Sequence, residues 1–387
     1  MTSLYLHLPW CVRKCPYCDF NAHEGGSADL YQEYQQALIK DFTFEQQLFA
    51  NTSVSVIETL FIGGGTPSLM TGQWYEDLFA SLQKVMPFAH TIEASIEANP
   101  GTIERDSFSA YKAAGLNRVS LGVQSFDATQ LTTLGRIHSA SQAKNAFMEA
   151  RNAGFDRINI DLMFGLPNQT VTAGLDDLQQ AIDFDPEHIS WYQLTIEPNT
   201  VFYSNPPLID ADISGELWLE GCKLLQDAGY IQYEVSAFAK PGEECRHNVN
   251  YWQFNDYLAI GAGAHGKWTD NNGQVLRYQK TRMPAHFIDR SQRIPTSDAV
   301  NPFIAQQSFL TTHELYTEFL LNRLRLFKPL DSAEFELKTQ MPWAKFLHKA
   351  KPLVDLNLLI HDTHQQSLTL TPMGQGFLND VLCRLTA

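Results

Sequence analysis

Six strand-like runs alternate with amphipathic helical patterns through the first half of the chain, and no other feature restricts the fold as tightly. The runs cover residues 4–8, 56–62, 92–97, 118–123, 157–163 and 188–195, with helical periodicity over 29–48, 72–85, 103–114, 140–153 and 171–183. In the first helical pattern Leu30, Tyr34, Leu38 and Phe42 recur at four-residue spacing, behind Asp29 as an expected N-cap. Strand–helix repeats of this kind place the strands parallel, joined by right-handed crossovers. The expected class is therefore α/β, a doubly wound sheet or a partial or complete parallel (β/α) barrel. A further helix is expected over 210–229, a strand over 230–238, and an irregular aromatic- and Gly-rich stretch over about 240–295. The last section reads as helices, an alternating strand over 367–371 and a final helix from about Gly374, the order of a small winged-helix-like domain. The expected division is 1–240 for the barrel, 241–298 for the segment completing it, and 299–387 for the C-terminal domain.

At 387 residues and 44% hydrophobic, the chain has enough apolar side chain for a full core. A formal charge of −15 argues against nucleic acid as a partner, because phosphate binding needs a basic face. No apolar run reaches the roughly 18 residues of a membrane span, although transient membrane association is compatible with such a chain. The first ten residues lack the basic start and apolar run of a signal peptide, so nothing removable is expected before the first cysteine. Three of the six cysteines crowd into residues 11–18, unlike a disulfide framework, which points to the reducing cytoplasm. Cys222 and Cys383 read as small core residues.

The crowded segment is Cys11-Val-Arg-Lys-Cys15-Pro-Tyr-Cys18-Asp-Phe-Asn, directly after the first strand. Spacings of three and two intervening residues let a short loop set three thiolates on one face of a cubane iron–sulfur cluster. Three ligands leave the fourth iron open for a bidentate amino acid, such as the methionine end of S-adenosylmethionine (SAM). A closed zinc site would need a fourth ligand, for which His7 or His23 stands nearby. The C-x3-C-x2-C spacing, with an aromatic before the last cysteine, resembles the radical SAM superfamily.

In a parallel β/α array, ligand groups gather at the C-terminal ends of the strands. The second run here ends in Gly63-Gly64-Gly65-Thr66-Pro67, where glycines admit a ligand close to the backbone. The third ends at Glu97, a carboxylate for ribose hydroxyls or an amino group; the fourth at Gln124; the fifth at Asp161. Arg136, in Leu-Gly-Arg-Ile-His, suits a ligand carboxylate.

Together these motifs resemble the oxygen-independent coproporphyrinogen III oxidase-like branch of radical SAM proteins over most of the chain. The resemblance implies a [4Fe-4S] cluster on Cys11, Cys15 and Cys18 with SAM as exchangeable fourth ligand. It implies SAM contacts from Tyr5, Gly64, Gly65, Thr66, Glu97, Gln124, Arg136 and Asp161, with Thr195 a weaker candidate at the sixth strand end. In that branch the true oxidase has a further cysteine two residues after the third cluster cysteine and a longer extension before the loop. Here Phe20 holds that position and Cys11 lies almost at the start. Both departures favour the haem-chaperone members, as does His247-Asn248-Val249-Asn250-Tyr251-Trp252, which looks like their H-N-x-x-Y-W signature. It offers an imidazole for haem iron beside two aromatic rings. Cys245 is a weaker candidate as thiolate ligand or attachment point. His265, in Gly261-Ala-Gly-Ala-His265-Gly, is a second, weaker haem-ligand candidate; the glycine-rich run itself reads as closing the barrel mouth.

Three functions are thus set against one another. The first is a haem chaperone that binds haem and passes it to acceptor proteins, its C-terminal domain covering the barrel mouth or contacting the acceptor. The second is a radical enzyme that cleaves SAM to methionine and a 5′-deoxyadenosyl radical and takes hydrogen from a porphyrinogen. The third is a zinc or structural-cluster scaffold.

Overall fold

The computed structural model describes residues 2–48, 56–101, 107–293 and 301–387. Each of the six expected strands forms: β1 (Ser3–Leu8), β2 (Ile57–Gly64), β3 (Phe88–Ala98), β4 (Arg118–Gln124), β5 (Arg157–Phe164) and β6 (His188–Gln193). They pair in parallel in that order. Six more strands extend the sheet: β7 (Ile231–Glu234), β8 (Ala237–Ala239), β9 (Tyr257–Ile260), β10 (His265–Thr269), β11 (Val275–Lys280) and β12 (Ile304–Phe309). The order is β12-β11-β10-β9-β1-β2-β3-β4-β5-β6-β8-β7. Among the described residues β12 and β7 do not pair with each other, so the barrel is partial.

The helices between the parallel strands include α1 (Ala28–Leu48), α2 (Gly72–Val85), α3 (Phe108–Ala113), α4 (Ala140–Asn152) and α5 (Val171–Asp183), followed by α6 (Ala211–Asp227). The side chains of Thr71, Ser107, Ser139, Thr170 and Asp210 each accept a backbone N–H from the first turn of α2 to α6. Each such cap is worth about 1 kcal/mol. On α1, Tyr34, Leu38 and Phe42 are fully buried, each contributing roughly 1.5–3 kcal/mol. Asp29 lies inside the first turn of α1 rather than at its N-cap; Ser27 takes the cap, its Oγ accepting from the Leu30 N–H at 3.3 Å.

Along the parallel strands one face is apolar and packs under the helices: Leu4, Leu6, Leu60, Ile62, Val119, Leu121, Ile158, Ile160 and Ile189 are all buried. The alternate residues, Ser3, Thr59, Glu93, Ser95, Arg118, Ser120, Asn159 and His188, are buried too, yet polar. They bond to one another across the barrel interior, as in Thr59 Oγ1 to Ser3 Oγ at 2.7 Å and Asn159 Nδ2 to Ser120 Oγ at 2.6 Å. A parallel sheet covered on both faces is ordinarily apolar on both, so this polar lining marks the inner face as a lumen.

Several expectations change. The strand expected over 230–238 is a hairpin, β7 and β8, turning at Val235–Ser236. The stretch expected to be irregular carries β9, β10, β11, α7 (Arg246–Trp252) and α8 (Pro284–Gln292); its strands, four to six residues long, are too short for a period-2 signal to emerge. The expected boundary at 298/299 lies outside the described residues, as does the 103–106 start of the third expected helix. The large sheet continues beyond that boundary, because β12 pairs with β11.

The C-terminal section has helices Thr312–Arg323, Ser332–Thr339 and Trp343–Asp355, then strands Leu359–Asp362 and Ser367–Leu370. With Leu330–Asp331 these make a three-stranded sheet, followed by helix Leu378–Thr386, a winged-helix-like arrangement. Its core centres on Phe319, Phe335, Phe346, Leu353 and Val381. Cys383, expected in a core, lies on the exposed face of the last helix. Cys222 is half-buried against the main core, and burial pushes its thiol up to about 12.

Candidate functional site

The chain leaves β1 through Pro9, makes the cysteine loop, and returns at His23–Glu24, which pairs with Trp10–Cys11. The glycine run at the end of β2 lies directly against this loop. The Gly65 N–H donates to Leu8 O and the Thr66 N–H to Trp10 O, both at 2.7 Å. A Cβ on Gly65 would stand 2.4 Å from Trp10 O, and Gly64 has φ +115° with the His7 ring against it. Neither position tolerates a side chain, so the glycines here serve close packing of two loops. At the far end of the cysteine loop, Asn21 Nδ2 donates to Ala262 O and Arg282 O, each at 2.9 Å. The glycine-rich stretch before His265 is thereby tied to the cluster loop.

The strand ends and this loop enclose a cavity of about 440 Å³. Its lining brings together Cys11, Cys15, Cys18, Gly64, Gly65, Thr66, Glu97, Gln124, Arg136, Asp161 and Thr195, ten of the expected cluster and SAM residues plus the weaker candidate at the sixth strand end. Tyr5 is not among the lining residues. Its hydroxyl is within 2.9 Å of His7 Nδ1 and its ring stacks on Phe61 beneath the cavity. Gln124 has φ +71° where the β4–β5 register shifts, an unfavourable backbone held by its surroundings. Tyr192, which the sequence did not single out, donates its hydroxyl to Gln124 Oε1 at 2.7 Å. Ser120 likewise fixes Asp161, Oγ to Oδ2 at 2.9 Å. Both lie on the lumen face, so counting back by twos from Gly122 would have found Ser120.

The carboxylates of Glu97 and Asp161 face the same cavity. Burial, and next the neighbouring Asp161 charge, push Glu97 up to about 7. Burial also raises Asp161, opposed by hydrogen bonds from Ser120 and Asn159. Two crowded carboxylates with raised pKa values suit a cationic ligand. Arg136 supplies the opposite charge: Nη2 donates to Gly122 O at 2.6 Å and Nη1 approaches Cys15 Sγ at 3.6 Å. Its Nε–H is buried without a partner, which a bound carboxylate would satisfy.

Burial raises the thiols of Cys11 and Cys18, the latter to about 11, with Thr66 partly offsetting the effect at Cys11. Ligation would draw these protons off. Among the described residues no three His, Cys, Asp or Glu side chains converge closely enough for a single metal ion. A cubane spreads its thiolates over separate irons and takes a wider set. His7 is occupied at both ring nitrogens, by the Tyr5 hydroxyl and by Asn21 O. The residues present therefore fit a three-cysteine cluster with SAM beside it.

The structure places His247 elsewhere. It is fully buried on α7, under the N-terminal halves of the strands. Its Nδ1 meets Thr59 Oγ1 at 2.9 Å, its Nε2 meets the Tyr251 hydroxyl at 2.7 Å, and its ring stacks on Phe61. Burial lowers its pKa to about 3. An iron reaching this imidazole would have to displace one of those partners and open the helix. Cys245 is also fully buried, near Glu93, and its thiol is raised by burial to about 11. Trp252 packs under Arg325 of the C-terminal section at 4.4 Å, and Arg325 also pairs with Glu234. His265, by contrast, is exposed at the start of β10.

The model of the radical SAM superfamily matches residues 5–183, and that of the HemN C-terminal domain matches 310–375. The protein named Heme chaperone HemW from Haemophilus influenzae is 42% identical over 98% of this chain and 96% of its own. That of Escherichia coli is 45% identical over 86% and 85%. In fold, the radical SAM enzyme coproporphyrinogen III oxidase (HemN) of Escherichia coli matches with a TM-score of 0.81, over 100% of this chain and 90% of that one, at 21% identity. A chain with this rim, this C-terminal section and similarity to such relatives over most of its length belongs to the HemW family of the radical SAM superfamily.

Proposed function

We propose that the protein is a cytoplasmic haem chaperone, which binds haem, holds a SAM-ligated [4Fe-4S] cluster and passes haem to acceptor proteins. The observation that carries this reading is near full-length similarity to proteins named Heme chaperone HemW. It is supported by Phe20 at the position where, by the resemblance, the oxidase has its extra cysteine.

When bound, the cluster supplies one-electron reduction of SAM. Cys11, Cys15 and Cys18 hold it, and Phe20 lines the cavity without offering a ligand. Glu97 and Asp161 would attract the cationic amino and sulfonium end of SAM, and Gly64 and Gly65 line the same cavity. Arg136 would hold the ligand carboxylate with its unpartnered Nε–H, and Gln124, steadied by Tyr192, would offer a neutral amide. The C-terminal section, with its own core, is the part that meets a haem acceptor.

Anaerobic reconstitution followed by haem titration, SAM binding and coproporphyrinogen turnover in one sample tests the proposal. A shifted Soret band without porphyrinogen turnover is the expected result. A second reading, radical oxidation of a porphyrinogen, is favoured by the completeness of the rim. Porphyrinogen consumption matched by 5′-deoxyadenosine would establish it and overturn the chaperone assignment.

A further inference from the structure

We infer that Asn21 is a positioning residue for the iron–sulfur cluster: it clamps the exit of the cysteine loop to the turn 261–264, which a buried Lys280–Asp41–Glu45 ion triad fixes from behind. This rests on the reading of the rim as a three-cysteine cluster with SAM, and it holds equally for a chaperone or a radical enzyme.

Asn21 lies three residues after Cys18 and commits its side-chain amide to distant backbone. Nδ2 carries two hydrogens, and they go to Ala262 O and Arg282 O, each at 2.9 Å. The Asn21 carbonyl meets His7 Nε2 at 3.0 Å. Gly263 has φ +84°, and a Cβ there would overlap the Asn21 amide. The glycine-rich run after β9 is thus shaped around this side chain. The cysteine loop is also held at its entry, where Trp10 O accepts the Thr66 N–H, and in its middle, where Pro16 O accepts the Phe202 N–H at 3.0 Å. Cys18 lies between the middle hold and Asn21, so its place depends on both.

Each backbone N–H of the turn has a partner. Gly261 donates to Asp41 Oδ2 at 3.1 Å and Ala262 to the Tyr34 hydroxyl at 2.6 Å, which itself donates to His7 O at 2.9 Å. Gly263 donates to Thr281 O at 2.9 Å and Ala264 to Gly261 O at 3.1 Å. Behind the turn, Lys280 Nζ bonds Asp41 Oδ1 at 2.6 Å and also Glu45. Glu45 accepts further bonds from the Tyr278 hydroxyl and from Asn301 Nδ2, the latter at 2.9 Å. Lys280, Asp41 and Glu45 are all fully buried. Burying charges is costly even when they are paired, so such a triad adds little net stability; holding one arrangement of the chain is the use left to it. From Asp41 through Gly261 and Ala262 to Asn21, an unbroken run of bonds joins the triad to the cysteine loop. A cofactor site needs its supporting groups held to roughly 0.5 Å, and this run supplies that support at the loop's exit.

The test compares full-length variants, both apo and anaerobically reconstituted. Asn21→Asp keeps the shape but sets a carboxylate against two carbonyls, while Asn21→Ala removes the amide without that repulsion. Both are expected to quicken hydrogen exchange over residues 11–21 in the apo protein. Both should also weaken SAM binding at least tenfold in equilibrium dialysis and shift the EPR spectrum of the reduced cluster, with little change in the urea midpoint. Asp41→Ala, remote from the rim, is expected to weaken SAM severalfold, and Asp41→Asn, which keeps an acceptor for Gly261, to restore most of that loss. Asn21→Ala combined with Asp41→Ala should bind SAM as Asn21→Ala does, because the two act in series. Wild-type exchange, SAM affinity and EPR spectrum in Asn21→Ala overturn the inference, as do additive effects of the two substitutions. If wild-type protein takes up no iron, the cluster reading falls, and exchange in the apo protein alone decides whether Asn21 holds the loop.

Discussion

At the C-terminal ends of the strands the lumen opens onto a cavity. Two carboxylates crowd together there, Arg136 keeps a buried N–H without a partner, and three thiols share one loop. At the N-terminal ends the same strands close over a dense polar floor. Glu93 accepts from Arg157 at 2.6 Å and from the backbone N–H groups of Arg246 and His247. His188 meets Asn159 Oδ1 at 2.6 Å and the Tyr233 hydroxyl at 2.8 Å. The residue types are alike in the two regions; what differs is that the rim groups face an open cavity, whereas most floor groups complete one another, Ser95 Oγ and Asn250 Oδ1 excepted. An incomplete set is where a ligand finds its bonds, whereas a completed set holds structure. The two regions are also in contact, since Asn159 bonds both His188 on the floor and Asp161 on the rim.

The largest effect is expected at the rim. Cys15→Ala should reduce bound iron from about four per chain to nearly none, with the brown colour and SAM binding lost. Iron analysis and equilibrium dialysis measure this; retention of the full cluster would mean the three cysteines are not its ligands. A zinc scaffold would be colourless before the substitution.

On the floor, His247→Ala strands the Thr59 and Tyr251 hydroxyls and opens a cavity. The expected cost is about 2–4 kcal/mol in urea unfolding, with SAM affinity retained. Unchanged stability together with lost ligand binding would reverse the assignment of the two regions.

Glu97→Gln sharpens the comparison through pH. The folded pKa of about 7 lies above the ordinary 4.5, so the folded apo protein holds the extra proton between those values. Stability therefore falls as pH rises through that window. Affinity for cationic SAM rises over the same window as the carboxylate ionises. The glutamine variant should flatten both profiles and weaken SAM roughly 10–100-fold at pH 8, the worth of one charge-assisted hydrogen bond. A persisting pH dependence would move the titration to another group.

The smallest effect is expected where the floor meets the C-terminal section. Arg325→Ala removes the contact over Trp252 and the pair with Glu234, at a cost of about 1–2 kcal/mol. Hydrogen exchange should quicken around α7 and residues 323–328 while the rim stays protected. Equal exchange in both proteins would show that Arg325 does not clamp them.

Much of the rim was legible because its signals are local. Cysteine spacing, a glycine run and the last polar residue of each strand are read within a few neighbours, and parallel β/α topology brings strand ends together whatever the intervening loops. Ser120 and Tyr192 escaped because their roles lie in bonds to other strands. The hairpin at Val235–Ser236 and the strands after it were hidden by their shortness. Exposure was the least legible property: Cys383 was expected inside and lies outside, and His247, a ligand candidate by resemblance, is buried and bonded to a residue 188 positions away. His265, a residue type no different in itself, is open to solvent.

The sequence by itself determined the strand–helix repeat, the cluster loop and the rim, because periodicity and spacing are short-range. Only the tertiary structure decided which histidine is sealed and which is free. Whether a polar group keeps its bonding capacity depends on partners that arrive from distant parts of the chain.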